Sequence, residues 1–600
     1  MVGVGALVSL PALAGEPRFT EVAEEIGLDF VHFNGMSGEL YFVEMMGQGL
    51  AVLDYDNDGD LDVYFLQGHM LGEGKTVADA TIPPKYPEPF TDRLYRNDLE
   101  LGPGGELRSR FVDVTERIGL AARGYGIGVA SGDYDNDGWT DLYLNNWGSN
   151  QMLRNNGDGT FTDATEETGT DDPRYSASST FLDYDRDGWL DLFVANYVDW
   201  RMATRKDCTG MGGARDYCAP WSFEPVPDSL FRNRGDGRFE NVTKSAGVEA
   251  EYGAGLGVVS ADFNYDGWTD IYVANDALPN QLWINQRDGT FFNDALLAGC
   301  AVNDMGMPEG SMGVVAGDID GDGFVDLFMS HIVEETNTLY LNDGKGMFRE
   351  ITRDSGLALP SFKYTGFGTA LFDFDNDGWL DLFVANGAVH EIEHLAREGD
   401  IFPIHQPDTL YRNLGRGRFT EVTEEAGAFV FSEVGRGVVF GDLENDGDSD
   451  LLVANNGGPA RVFRNEGGNS ASWLGLRFLN PPPHRQPPGV RVEAERADGF
   501  EIWRRSGTDG SYASAGEPRV LLGLQDADGP VRLRVEWPGG RIQEYASLPP
   551  NRYITLLDEH KNRIVHYVGG AIFTGTKDRA RPVLHTVNAA QAAHVATAFD

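Results

Sequence analysis

Six hundred residues are enough for about four ordinary domains and for a large buried core. The 94 acidic side chains outnumber 48 basic ones and leave a net charge of −46, which argues against nucleic acid and anionic membranes as partners. Past the amino terminus, no stretch is long and apolar enough to span a membrane.

The chain opens with MVGVGALVSLPALA, residues 1–14, a short apolar run ending in Ala-Leu-Ala that predicts a secretory signal cleaved after Ala14. Of three cysteines, Cys208 and Cys218 share one insertion and are expected to bridge in an oxidising compartment, leaving Cys300 buried.

From residue 15 onward one nine-residue pattern, Asp-x-(Asp/Asn/Glu)-x-Asp-Gly-x-x-Asp, recurs seven times. The first four copies offer Asp54, Asp56, Asp58 and Asp62; then Asp133, Asp135, Asp137 and Asp141; then Asp183, Asp185, Asp187 and Asp191; then Asp262, Asn264, Asp266 and Asp270. The last three offer Asp318, Asp320, Asp322 and Asp326; Asp373, Asp375, Asp377 and Asp381; and Asp442, Glu444, Asp446 and Asp450. Oxygens at positions 1, 3, 5 and 9 can converge on one hard cation, and glycine at position 6 lets the backbone turn sharply enough to bring them together. An EF-hand would place glutamate at position 12 and helices on both sides; here alternating apolar runs such as LFVAN follow, so these are calcium loops in β-hairpins. About seven Ca²⁺ would add 14 positive charges and leave about −32, so the acidity is not only a metal effect.

Two further phrases recur with the loop. An (L/V)(Y/F/L/W)xN unit ends at Asn97, Asn155, Asn233, Asn285, Asn342, Asn413 and Asn465, and an F-x-(D/E)-V-T-E-x-x-G phrase starts at Phe19, Phe111, Phe161, Phe239, Phe291, Phe348 and Phe419. A repeated unit of short strands buries its faces only against its neighbours. The array begins with a phrase at Phe19 before any loop and ends at Asn465 with none after it, so the orphan first strand is expected to complete the last unit and close a ring. The fold expected is all-β: a seven-bladed β-propeller over residues 15–468, followed by a small β-sandwich-like domain over 469–567. Residues 568–600 show no clear periodicity and are expected to lack order.

The Asp loops with their LFVAN and LYRN phrases resemble FG-GAP/VCBS repeats of integrin α-subunit propellers, and more closely those of the ASPIC/UnbV family. That family's carboxy-terminal signature is similar to SWLGLRFLN (472–480), RSGTDGSYASAGEPRVLLGL (505–524) and LRVEWPGGRIQEY (533–545). PPPHRQPPGVRV (481–492) departs from the family pattern. The resemblance implies a secreted calcium-binding propeller with a small carboxy-terminal β-domain.

Identical loops in every unit argue for structural staples rather than a single reactive centre. Trp139, Trp189, Trp268 and Trp379, each following a loop glycine, are expected to pack between blades, and Arg234-Gly235-Asp236 reads as a repeat turn rather than an adhesion tripeptide. Two insertions, Tyr197–Ser229 and Gly387–Thr409, leave equivalent points of their units and are expected to project from one face, where binding usually resides. Within that face His390-Glu391-Ile392-Glu393-His394 matches HExxH, which binds zinc only if both histidines share a helical face and a third ligand joins them. The function expected is a secreted, periplasmic or cell-surface binding or adhesion module for a protein or glycan. The alternative is a metal-dependent enzyme whose site lies among His331, Glu335, His390, Glu391, His394 and His405.

Overall fold

The computed structural model describes residues 18–558, except 120, 121, 123, 211, 212, 482–484, 527 and 528, together with the backbone of strands Ile564–Val568, Ala571–Thr576 and Arg579–Pro582. The expected signal sequence lies outside the described residues, as does the chain beyond 582. Where composition suggested no order after 568, the backbone runs on as two strands paired in register from Thr576↔Arg579 to Phe573↔Pro582.

Each repeat forms a four-stranded antiparallel sheet. In the second, Tyr125–Gly132, Asp141–Trp147, Gln151–Asn155 and Phe161–Asp163 follow one another in space as in sequence. The acidic loop joins the first two strands, the Asn phrase ends the third, and the Phe phrase begins the fourth, with Gly132 opposite Asp141 and Asn155 opposite Phe161. Among the described residues, seven such sheets lie between 19 and 465. The last is assembled from Gly435–Gly441, Asp450–Asn455, Arg461–Asn465 and the amino-terminal Phe19–Glu21, with Phe19 opposite Asn465.

The first strands line the axis, and each touches the next: Leu50–Leu53, Tyr125–Gly132, Ser176–Leu182, Gly255–Ala261, Val314–Gly317, Gly366–Phe372, then Gly435–Gly441, which returns to Leu50–Leu53. Glycine permits this approach at the axis, since a Cβ on Gly313 would lie 2.2 Å from the Phe367 carbonyl oxygen and one on Gly368 2.3 Å from that of Arg436. A closed cycle of four-stranded sheets leaves no edge strand facing its neighbours, consistent with a β-propeller.

After Asn465 the chain builds two further sheets. Ser472–Leu479 pairs antiparallel with Val520–Gln525 and parallel with Tyr553–Leu557, while Arg491–Glu495 lies between Glu501–Arg505 and Val531–Trp537, and Arg541–Leu548 completes the second sheet. Leu476, Phe478, Val492, Ile502, Leu522 and Trp537 are buried in one core shared by both sheets, following the in-out alternation of each strand.

Candidate metal loops and the insertion-bearing face

The loop at Asp133 illustrates the common geometry. Asp133 accepts the Asp137 amide on Oδ1 (3.1 Å) and the Gly138 amide on Oδ2 (2.9 Å), and Asp137 accepts the Trp139 amide (2.9 Å). Asp141 is fully buried and accepts the Tyr134 amide on Oδ2 (3.1 Å) and the Asn155 amide on Oδ1 (2.8 Å), tying the loop to the third strand. Two residues take the left-handed conformation, Gly138 at φ 93° and Asn136 at φ 58°. The sequence argument anticipated the glycine and missed position 4. The signal was there, because Asn, which tolerates that region, recurs at positions 57, 136, 376 and 445.

Carboxylate oxygens of Asp133, Asp135 and Asp141 lie within 4.8 Å of one another, as do those of Asp183, Asp185 and Asp191, of Asp318, Asp320 and Asp326, and of Asp373, Asp375 and Asp381. In the first loop the close trio is Asp54, Asp56 and Asp58. The loops beginning at Asp262 and Asp442, with Asn264 and Glu444 at position 3, form no such trio among the described residues.

Burial pushes Asp133, Asp318 and Asp442 up to about 7 and Asp183 and Asp262 to about 6, the cost of holding charge away from water. One buried oxygen each of Asp54, Asp56, Asp135 and Asp375 receives no hydrogen bond. Unpartnered, buried, oxygen-only donors are what a hard cation needs, so these residues fit Ca²⁺.

The carboxy-terminal sheets lie over the loop-bearing side. Arg477 stands 3.7 Å from Asp54 and Arg504 3.6 Å from Asp373. Arg485 donates to the Gly188 carbonyl (2.8 Å), Arg491 to Gly323 (2.5 Å) and Arg519 to Asp442 (3.0 Å), while the Tyr553 hydroxyl donates to Asp442 Oδ2 (2.8 Å). From the same domain residues 509–517 enter the ring and bond to every sheet in it. Ala515 exchanges bonds with Leu50 and Val52, Ala513 with Val129 and Ser178, Asp509 accepts from Ser260, Ser511 pairs with Val314 and meets Thr369, and Glu517 accepts the Asp442 amide. Tyr512 is fully buried, its hydroxyl donating to the Met46 carbonyl (3.1 Å) and its ring edge-on to Phe367.

On the other side the insertions meet. His390 Nδ1 lies 3.2 Å from Asp216 Oδ2, and Cys208 is bridged to Cys218 beneath Lys206. A cavity of about 120 Å³ gathers Tyr197, Trp221, Asp276, Glu335 and His390. Asp276 was missed from sequence; it stands directly after the VAN phrase of the fourth repeat, where other repeats carry their insertions.

The zinc arrangement expected of HExxH is not formed. The helix runs only over Glu393–Glu398 with Ile392 as its N-cap, so His390 precedes it and does not share a face with His394, which is exposed, as is Glu391. His405 contacts the Ser432 carbonyl, and His331 is buried between Ser311 and the Thr336 carbonyl. Of the six enzyme candidates, Glu335 and His390 line one cavity. Two of the loop tryptophans reach a neighbouring repeat as expected, Trp379 packing on Gly321, where a Cβ would lie 2.7 Å from its ring, and Trp268 lying under Arg186; Trp139 and Trp189 instead cover Gly157 and Gly235, turn glycines of their own sheets, where a Cβ would lie 2.6 and 2.8 Å from the indole nitrogen. Arg234-Gly235-Asp236 is a turn, with the Gly235 amide donating to Asn233 Oδ1 (3.0 Å).

A closed array of β-sheets, each with an acidic loop between its first two strands, capped by a further pair of sheets, defines a propeller-like repeat protein. An FG-GAP-like repeat profile matches residues 133–194, 221–273, 262–329 and 331–384, and an ASPIC and UnbV profile matches 481–563. The chain thus carries FG-GAP-like repeats and, after them, an ASPIC and UnbV domain. It is similar to Cartilage acidic protein 1 of Mus musculus, at 29% identity over 385 residues covering 59% of this chain and 55% of the relative. It is 33% identical to Cartilage acidic protein 1 of Xenopus tropicalis over 172 residues, covering 27% and 26%, and 33% identical to that of Homo sapiens over 175 residues, covering 27% and 25%. The chain thus spans between a quarter and about half the length of the curated relatives it matches.

Proposed function

We propose that the chain is an exported, calcium-stapled seven-bladed β-propeller, residues 15–468, capped by a β-domain at 469–567, that acts as a binding or adhesion module for a protein or glycan. The observation that carries this reading is the recurrence of one acidic loop motif in every sheet of a closed ring, with carboxylates drawn into a close trio in five of the seven loops among the described residues, which is the mark of architecture rather than of one reactive centre. Positions 1, 3, 5 and 9 would hold Ca²⁺, which would supply the charge compensation that buried carboxylates otherwise lack. The Cys208–Cys218 bridge, the apolar first fourteen residues and relatives named for cartilage support an extracellular or periplasmic setting. Because the carboxy-terminal domain covers the loop side, the insertion-bearing side is the one left for a partner. Elemental analysis of the desalted protein tests the scaffold, with about seven calcium per chain expected; protein without bound calcium, melting identically in chelator, would refute it. The enzyme reading keeps Glu335 and His390 in one cavity but has lost its pair of zinc histidines.

A further inference from the structure

We propose that the cavity between the insertions binds a single organic ammonium group, as carried by a lysine side chain of a protein partner. The inference rests on the reading of the insertion-bearing side as the partner-facing one.

Size sets the first limit. Sites for whole small molecules run to about 300–1,000 Å³, whereas this cavity holds about 120 Å³ and suits the end of one side chain. Its walls set the charge. Asp276 is 6% exposed; its Oδ2 accepts the Tyr197 hydroxyl at 2.5 Å, and its Oδ1 receives no hydrogen bond from the described residues. Glu335 accepts the Gly310 amide at 2.7 Å through Oε2. Both flank one gap, since a Cβ on Gly310 would lie 3.2 Å from Asp276 Oδ1 and 3.5 Å from Glu335 Oε2. Among the described residues neither carboxylate is paired with a lysine or arginine, and the nearby His390 is engaged by Asp216. Burial raises both carboxyls, Asp276 to about 6 against the Tyr197 hydrogen bond and the charge of His390, and Glu335 to about 7 with the neighbouring Glu309 and Asp276 adding to the rise.

The rest of the lining favours an organic cation over a metal. Trp221 is 78% exposed and Tyr197 is buried, and both line the cavity, so an entering ammonium passes aromatic side chains that can add to the attraction of the carboxylates. Asp276, Glu335 and His390 do not form one of the groups whose ligand atoms lie within 4.8 Å of one another, so they make no ready-built metal site.

Ligand-observed NMR tests the assignment with three probes: Nα-acetyl-lysine methylamide, n-butylammonium, and Nα-acetyl-norleucine methylamide, which has the same aliphatic chain without the charge. Both ammonium probes are expected to bind and the norleucine probe is not. Glu335→Gln and the surface change Trp221→Ala are each expected to weaken binding at least tenfold at unchanged melting temperature. Equal binding of the norleucine probe, or affinities unmoved in both variants, would overturn the proposal. Binding of butylammonium without the lysine probe would overturn the assignment to a protein side chain and point to a free amine. Calcium content measured on the same samples keeps the two readings apart, because protein with its full calcium and no ammonium binding sinks this inference alone.

Discussion

Asn97 Nδ2 donates at 3.0 Å to the carbonyl of Leu443, a residue 346 positions away in the acidic loop of the last sheet. The same bond joins each sheet to its predecessor: Asn155 to Tyr55, Asn233 to Tyr134, Asn285 to Tyr184, Asn342 to Phe263, Asn413 to Ile319 and Asn465 to Phe374. With Asn97 the series returns to its beginning. The asparagine of the LYRN phrase is therefore a clasp between neighbouring sheets, and each acidic loop is held by the sheet that follows it.

Removing the Asn233 clasp leaves the Tyr134 carbonyl without its side-chain donor, which costs about 1–3 kcal/mol. At the closure the Ser109 hydroxyl also donates to the Leu443 carbonyl (3.1 Å), so Asn97→Ala is expected to lower the chemical denaturation midpoint less than Asn233→Ala, and Asn97→Ala combined with Ser109→Ala to match it. A loss from Asn97→Ala alone as large as that from Asn233→Ala would mean that the Ser109 bond does not hold the seam.

Calcium should dominate stability. At millimolar calcium and a dissociation constant of about 0.1 mM each occupied site adds roughly 1.4 kcal/mol, and seven add about 10 kcal/mol. Asp135→Ala is expected to lower the melting temperature by a few degrees in calcium. In chelator its sign should vanish or reverse, since the change then removes a buried carboxylate with an unpartnered oxygen. Differential scanning calorimetry with and without chelator checks both halves, and an equal loss in the two conditions would mean that Asp135 acts through packing.

The loops, the recurring Asn phrase and the ring closure were legible because each depends on spacing within about 80 residues or on the order of phrases along the chain, whereas the bond by which each asparagine clasps the preceding sheet had no signal in its spacing. The entry of residues 509–517 into the ring was not. GTDGSYASAG is small and polar without a period, and its partners in the ring lie between 142 and more than 450 residues away. The cavity was half legible: Glu335 and His390 stood on the expected face, but Asp276 had no signal beyond its position after VAN. The condition set on HExxH, a shared helical face, fails for a local reason, since the letters do not fix where a helix starts and Ile392 begins it too late.

The entering segment should be an axle rather than an ornament. Tyr512 is fully buried among residues of the ring, so Tyr512→Ala is expected to cost about 3–5 kcal/mol, while Tyr512→Phe, which loses only the bond to the Met46 carbonyl, should cost about 1 kcal/mol. Urea denaturation followed by tryptophan fluorescence separates the two, and equal small losses would mean that the ring holds together without its axle.

Glu44 makes a prediction of opposite sign to the usual acid. It is fully buried in the turn Phe42–Met45, accepts the Tyr217 hydroxyl (3.0 Å) on one oxygen and has no partner for the other, and burial lifts it to about 8. A carboxyl raised in the folded state holds its proton there after the unfolded chain has released it, so wild-type stability falls as pH rises from about 4.5 toward 8. Glu44→Gln keeps an acceptor for Tyr217 and removes the titration. Its melting temperature should match wild type near pH 5 and exceed it by several degrees at pH 8, where the buried carboxyl costs wild type a few kcal/mol at about 1.4 kcal/mol per pH unit of difference. A gain that is the same at both values would assign the effect to packing, and a loss at pH 8 would mean that the carboxylate is charged and paired in the folded protein.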